Sequence, residues 1–143
     1  MQRPENIIAV VREWLKKADN DLKTSKHILK LDVDSPTDTI CFHAQQCVEK
    51  YIKALMVFKQ IPFPKSHNLS ELLNLLPIKY HSLLSKEEQQ LLTVYATVTR
   101  YPGDYEDISL SEAKAAVRVA GKIRKAIRVL LPKEALTQIR KKS

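Results

Sequence analysis

Between Ile40 and Phe58 the apolar residues Ile40, Ala44, Cys47, Val48, Tyr51, Leu55 and Phe58 recur at steps of 4, 3, 1, 3, 4 and 3. That is the spacing of one apolar stripe on an α-helix. A second apolar set (Cys41, Ile52 and Met56) flanks the stripe, and Gln45, Gln46, Glu49 and Lys50 run beside it as a polar seam. A helix apolar on two flanks packs against more than one neighbour, so this segment predicts an all-α assembly around itself. Gln45 and Glu49 are four apart, as are Gln46 and Lys50, so each pair shares a helix face. Gln46 and Lys50 offer an amide and an ammonium to a nucleotide lodged between helices. The alternative is a buried polar network that fixes helix pairing or a dimer interface, with Glu49 and Lys53 as a helical ion pair.

The rest of the chain is punctuated for helices at nearly every junction. The first runs from about Pro4 to Lys30, with Ile7, Val11, Trp14, Leu15, Ala18, Leu22, Ser25 and Leu29 on one side. Proline at its start has no helical hydrogen bond to lose. Asp32 to Ser35 breaks it, and Ser35-Pro36 reads as an N-cap with proline at the first position of the second helix. That helix lasts to about Gln60, where Ile61-Pro62-Phe63-Pro64 forms a stiff loop. A short third helix covers about Asn68 to Leu76 and stops at Pro77, with His67 expected to cap or staple it through a backbone group. Ser85-Lys86-Glu87-Glu88 matches a capping box for a fourth helix reaching about Arg100. Tyr101-Pro102-Gly103-Asp104 is a turn. Ser109-Leu110-Ser111-Glu112 is a second capping box, opening a last helix that ends at Leu131. Its core side is Ala113, Ala116, Val117, Ala120, Ile123, Ile127 and Leu130, and its small residues with Gly121 would admit a close neighbour. Four long amphipathic helices with short connections predict an antiparallel four-helix up-and-down bundle with one additional short helix. Residues 1–132 form a single domain in this reading, and 133–143 a basic C-terminal tail.

The chain has 143 residues, 44% hydrophobic, with only two glycines, which suits one helix-rich globular domain. Its two cysteines are six apart, about 240° around a helix, so free buried thiols in a reducing compartment are expected. No apolar run approaches a membrane span and no charged-then-apolar leader opens the chain, so a cytoplasmic protein is expected. The charge of +8 is unevenly placed. Residues 1–109 hold 14 basic and 14 acidic side chains, whereas 110–143 hold 10 basic and 2 acidic ones. Lys114, Arg118, Lys122 and Lys125 recur at steps of 4, 4 and 3 on the last helix, a footprint for phosphate, RNA or an acidic partner. Against RNA, no aromatic residue interleaves the stripe to stack on bases, which leaves a solvated face as the plain alternative.

Several of these segments together resemble the HEPN family of small helical domains. The pattern Gln-Gln-x-x-Glu-Lys-x-x-Lys-Ala is matched by Gln45, Gln46, Glu49, Lys50, Lys53 and Ala54. A His-x-Leu step is matched at His67-Asn68-Leu69, and Trp-x-x-x-Ala-x-x-Asp-Leu at Trp14, Ala18, Asp21 and Leu22. An Arg-Tyr-Pro turn is matched at Arg100, Tyr101 and Pro102. The resemblance covers roughly Asn6 to Leu131. It implies nucleotide binding, homodimerisation, and partnership with a separately encoded minimal nucleotidyltransferase, including the toxin–antitoxin kind of pair.

Active members of the family are ribonucleases that use an arginine followed after four to six residues by histidine. Arg100 is instead followed by Tyr101, Pro102, Gly103, Asp104, Tyr105, Glu106 and Asp107, and no arginine stands at that spacing before His27, His43, His67 or His81. Without that histidine there is no obvious general base near neutral pH. The chain also lacks the strand-rich half and paired aspartates needed for nucleotidyl transfer. It therefore reads as a non-catalytic HEPN protein that needs no cofactor. The alternatives are a diverged HEPN ribonuclease, or a helical dimer docking RNA or protein through its basic last helix. The candidate binding residues are Arg100, Tyr101, Asp104, Tyr105, Gln46 and Lys50. Arginine supplies a planar fork suited to phosphate, and the tyrosines a stacking surface. Arg100 as a cap of the fourth helix is the structural alternative. No Cys/His/Asp/Glu spacing indicates a metal site, and His43 has no second ligand in sequence.

Overall fold

A computed structural model describes residues 3–96 and 107–137, and every regular element among them is helical. The helices are α1 (Pro4–Leu29), α2 (Thr37–Phe58), α3 (Leu69–Leu75), α4 (Lys86–Val94), α5 (Leu110–Leu130) and α6 (Lys133–Leu136), with short 3-10 segments at Asp32–Asp34 and Ile78–Leu83. The local signals explain most boundaries. Pro4 opens α1. The first capping box closes in both directions: Glu88 N–H donates to Ser85 Oγ at 3.1 Å, and Ser85 N–H to Glu88 Oε1 at 2.8 Å. At α5 the Glu112 amide donates to Ser109 Oγ at 3.0 Å.

Other boundaries differ from the sequence reading. Pro36, not Ser35, holds the N-cap position of α2. The Ser35 hydroxyl instead turns back to donate to the Ile28 carbonyl at 3.0 Å, closing the end of α1. Asn68 rather than His67 caps α3, its Oδ1 accepting from Glu71 N–H at 3.1 Å. The fourth helix stops at Val94 and turns at Tyr95 and Ala96. Thr93 and Val94 are β-branched and weak helix formers, which favours the early stop. Gln60 takes a left-handed φ of 57°, so that Ile61 N–H reaches Met56 O and Gln60 N–H reaches Val57 O at 2.9 and 3.0 Å. Those two bonds satisfy the last carbonyls of α2. Leu131, outside the helix, is buried, whereas Leu130 is 36% exposed. The extended backbone at the α5 C-cap swings residue 131 inward. Lys133–Leu136, expected as the start of the tail, form α6, which buries Ala135 and accepts a bond at the Glu134 carbonyl from Arg12 Nε at 2.7 Å.

Side-chain pairs give the helix directions. Asp19 meets Tyr51 while Ser25 meets Ile40, so α1 and α2 are antiparallel. Arg12 meets α6 and Asp19 meets Arg124, which makes α5 antiparallel to α1 as well. Thr37 Oγ1 donates to Ile108 O at 2.7 Å, setting the start of α2 beside the start of α5, parallel to it. Helix α4 meets α5 where Lys122 pairs with Glu88. From Ile40 to Met56 only Phe42, His43, Gln46 and Lys50 escape burial. Both apolar flanks of α2 are therefore consumed within the chain, against α1 on one side and α5, α3 and α4 on the others. Each fully buried Ile or Leu there contributes roughly 1.5–3 kcal/mol. Gly121 does not mark a close approach, because a Cβ built on it meets nothing within 4 Å. The small residues that let α5 approach its neighbours are Ala113, Ala116 and Ala120, all buried.

Candidate functional site

The polar seam of α2 resolves into two groups. In the first, Glu49 sits with 4% of its side chain exposed. It accepts from Gln45 Nε2 at 3.1 Å and Lys53 Nζ at 3.0 Å, and lies 2.8 Å from His67 Nδ1. Burial alone would raise the Glu49 pKa; the bonds from His67, Lys53 and Gln45 outweigh it and hold the carboxyl below its usual 4.5. Lys53 Nζ lies 5.8 Å from the Trp14 ring centre and 5.6 Å from that of Phe63, so two aromatic rings also receive the ammonium. Gln46 Nε2 donates to Gln45 Oε1 at 2.6 Å, and Gln45 Nε2 also reaches the His67 carbonyl at 3.4 Å. The loop before α3 is thereby tied to the middle of α2.

The second group is centred on α1. Asp21 accepts from Lys50 Nζ at 2.5 Å and lies 2.8 Å from His43 Nδ1. Two residues earlier, Asp19 holds the Tyr51 hydroxyl, Arg124 Nε at 3.1 Å and Arg128 at 3.8 Å. Asp19 thus joins α1, α2 and α5. Burial, and then the Asp19 carboxylate, push the Tyr51 phenol well above its ordinary value. Sequence reasoning missed Asp19, His43, Arg124 and Arg128. A signal was present: Asp21 falls between Ala18, Leu22 and Ser25 on the buried face of α1, where an unpaired carboxylate would not be tolerated.

Of the residues singled out in the sequence, Gln46 and Lys50 are half-buried and bonded inside the chain. They turn to different partners and do not converge on a common space. Arg100, Tyr101, Asp104 and Tyr105 lie outside the described residues. Lys114, Arg118, Lys122 and Lys125 all stand exposed on α5. Lys122 grips both oxygens of Glu88 at 3.1 and 3.0 Å, while the other three make no hydrogen bond or ion pair among the described residues. His67, expected to bond a backbone group, meets the Glu49 carboxylate instead.

A cleft of about 390 Å³ opens where α2 and α5 begin, walled by Asp32, Ser35, Thr37, Asp38 and Asp107. Its carboxylates oppose a phosphate there. Among the described residues no group of His, Cys, Asp and Glu could hold a metal ion, and no helix is long and apolar enough to cross a membrane.

The family model of the HEPN domain matches residues 11–130. The chain belongs to the HEPN family. Its fold is similar to that of TT1696 from Thermus thermophilus, at 27% identity and a TM-score of 0.69, over 85% of this chain and 98% of that one. It is also similar in fold to ST0689, an archaeal HEPN homologue, at 24% identity and a TM-score of 0.65, over 91% of this chain and 98% of that one. A search of curated proteins gives no match. Within this HEPN domain, the motif residues Gln45, Gln46, Glu49, Lys50 and Lys53 are the ones that build the seam.

Proposed function

We propose that this HEPN protein is non-catalytic and acts by binding, as the helical partner of a separately encoded minimal nucleotidyltransferase, with a nucleotide recognised at Arg100, Tyr101, Asp104 and Tyr105. What supports this is that no histidine follows an arginine at the ribonuclease spacing, and that three of the four histidines are tied to partners on the chain. His43 shares the Asp21 carboxylate with Lys50, His67 is held by Glu49, and His81 Nε2 lies 2.7 Å from the Leu76 carbonyl. Gln46 and Lys50 are each turned to a partner inside the chain and do not converge, so the proposal puts the ligand contacts on the Arg-Tyr-Pro turn. Self-association belongs to the same proposal. Since α2 is enclosed by its own chain, a second copy would meet exposed apolar side chains such as Leu91 and Val94 on α4. A monomer in sedimentation equilibrium removes that part.

The test is a thermal-shift titration with ATP, AMP, GTP and a short RNA, run beside Arg100→Ala. A ligand present at 100 times its Kd stabilises by about 2.7 kcal/mol. A mononucleotide shift that vanishes in the variant is expected, with the unliganded Tm within a few degrees of wild type. No shift with any mononucleotide rejects the nucleotide part. A large loss of Tm without ligand identifies Arg100 as a structural cap.

A second reading is favoured by the exposed cations of α5: a polyanion docking along Lys114, Arg118 and Lys125. If RNA binds there, changing Lys114, Arg118 and Lys125 to Gln flattens the salt dependence of binding by about one unit of slope per lost contact. An unchanged slope rejects it.

A further inference from the structure

Lys59 and Lys79 converge on one aromatic ring at the far end of α2. Their Nζ atoms lie 5.3 and 5.1 Å from the centre of the Tyr80 ring. Lys59 is the residue that caps α2, and Lys79 and Tyr80 belong to the 3-10 segment Ile78–Leu83. The ring is fixed: Tyr80 is buried, and its amide donates to the Pro77 carbonyl at 3.0 Å. Hydrogen bonding from Lys59, and then from Lys79, holds the phenol below its ordinary pKa. Both lysines are exposed, and neither pairs with a carboxylate among the described residues. The two charges stand within about a Debye length of each other, so their fields add.

We propose that Lys59, Lys79 and the Tyr80 hydroxyl form a binding site for a dianionic phosphoryl group. Two ammonium groups supply the matching charge, and the phenol hydroxyl has a proton to donate to a phosphoryl oxygen. Lysine serves phosphate as a point charge on a flexible stem, so two of them can close on a small anion without moving backbone. The site is separate from the seam: Lys59 lies nine residues beyond Lys50, about 14 Å along the helix axis. It stands independently of the nucleotide reading at Arg100.

The experiment is amide NMR of the 15N-labelled protein, titrated separately with inorganic phosphate and with AMP. Saturable shifts at Lys79 and Tyr80 with both probes are expected, at least about tenfold weaker in Lys59→Gln/Lys79→Gln and retained in Lys59→Arg/Lys79→Arg and in Arg100→Ala. Because both lysines are exposed, the Gln variant should keep its remaining spectrum and its Tm. Equal affinity for the two probes means that the phosphoryl group alone is read; tighter AMP binding means that the phosphoryl group arrives on a nucleotide. No saturable shift at these residues, or shifts that persist undiminished in the Gln variant, overturns the proposal.

Discussion

Replacing Glu49 by alanine tests whether the seam holds the helices together. The carboxylate is almost fully buried and accepts from Gln45 and Lys53 while pairing with His67. Its removal leaves the Lys53 ammonium, 8% exposed, without a counter-charge. Breaking a buried pair from one side costs about 3–5 kcal/mol. Two features place this case at the lower end. Lys53 keeps the Trp14 and Phe63 rings, and His67, with 63% of its side chain exposed, can turn to water. A loss of about 3 kcal/mol is expected, out of roughly 7–20 kcal/mol for a chain of this size. That corresponds to a fall in Tm on the order of 10 °C. Urea unfolding followed by far-ultraviolet circular dichroism measures it. Trp14, the sole tryptophan, packs edge-on to Phe63 at 6.1 Å and reports the same transition locally by fluorescence. The double variant Glu49→Leu/Lys53→Met should recover most of the loss, since an apolar pair leaves no orphaned charge. The pH dependence has a definite sign. Glu49 is held below its usual 4.5 in the folded state, so its contribution is present above about pH 4.5 and fades as pH falls through the lower folded value. Wild type should therefore lose more stability than Glu49→Ala on acidification. A single-variant loss under about 1 kcal/mol, the size of an ordinary hydrogen bond, or a double variant weaker than the single one, refutes the argument.

Gly121→Ala should stabilise the protein by about 0.5–1 kcal/mol, because the added Cβ meets no neighbour and alanine costs less backbone entropy in a helix; an unchanged or lower urea midpoint counts against this. Both cysteines are fully buried, and burial, followed by the nearby Asp19 and Asp21 charges, raises the Cys47 thiol far above its ordinary value. Neither thiol should react with Ellman's reagent at neutral pH faster than the protein unfolds, and rapid labelling of the native protein contradicts that.

The helices were legible because their signals are local. The stripe from Ile40 to Phe58 required a buried helix, and its second flank required neighbours on both sides, which α1 and α5 provide. Ser85 and Glu88 form the capping box that their spacing indicated. What failed depended on geometry between elements. Ser35 resembles an N-cap, but the left-handed turn at Asp32 (φ 53°) precedes it and its hydroxyl bonds back to α1. Leu130 and Leu131 exchange roles because the helix ends between them. Within the site, the i, i+4 partnership of Glu49 and Lys53 was readable. The pairing of His67 with Glu49 was not, because it spans a loop whose course two prolines determine. His43 looked isolated for the same reason: its partner Asp21 lies on another helix, 22 residues away.

Apolar stripes alone would let α1 slide along α2 by a helical turn, about 5.4 Å, at modest cost. The polar contacts forbid it. Such a slip would part Asp19 from Tyr51, Asp21 from His43 and Lys50, and Ser25 from the Ile40 carbonyl at once. Each separation would leave a buried or half-buried polar group without a partner, at about 1–3 kcal/mol apiece. Glu49 and His67 then fix the chain leading into α3 to the same register. Arg124 and Arg128 carry the constraint to α5 through Asp19. Among the described residues, the cations that this register positions but does not use include Lys114, Arg118 and Lys125 on α5 and the lysine pair around Tyr80, the groups on which the binding proposals rest.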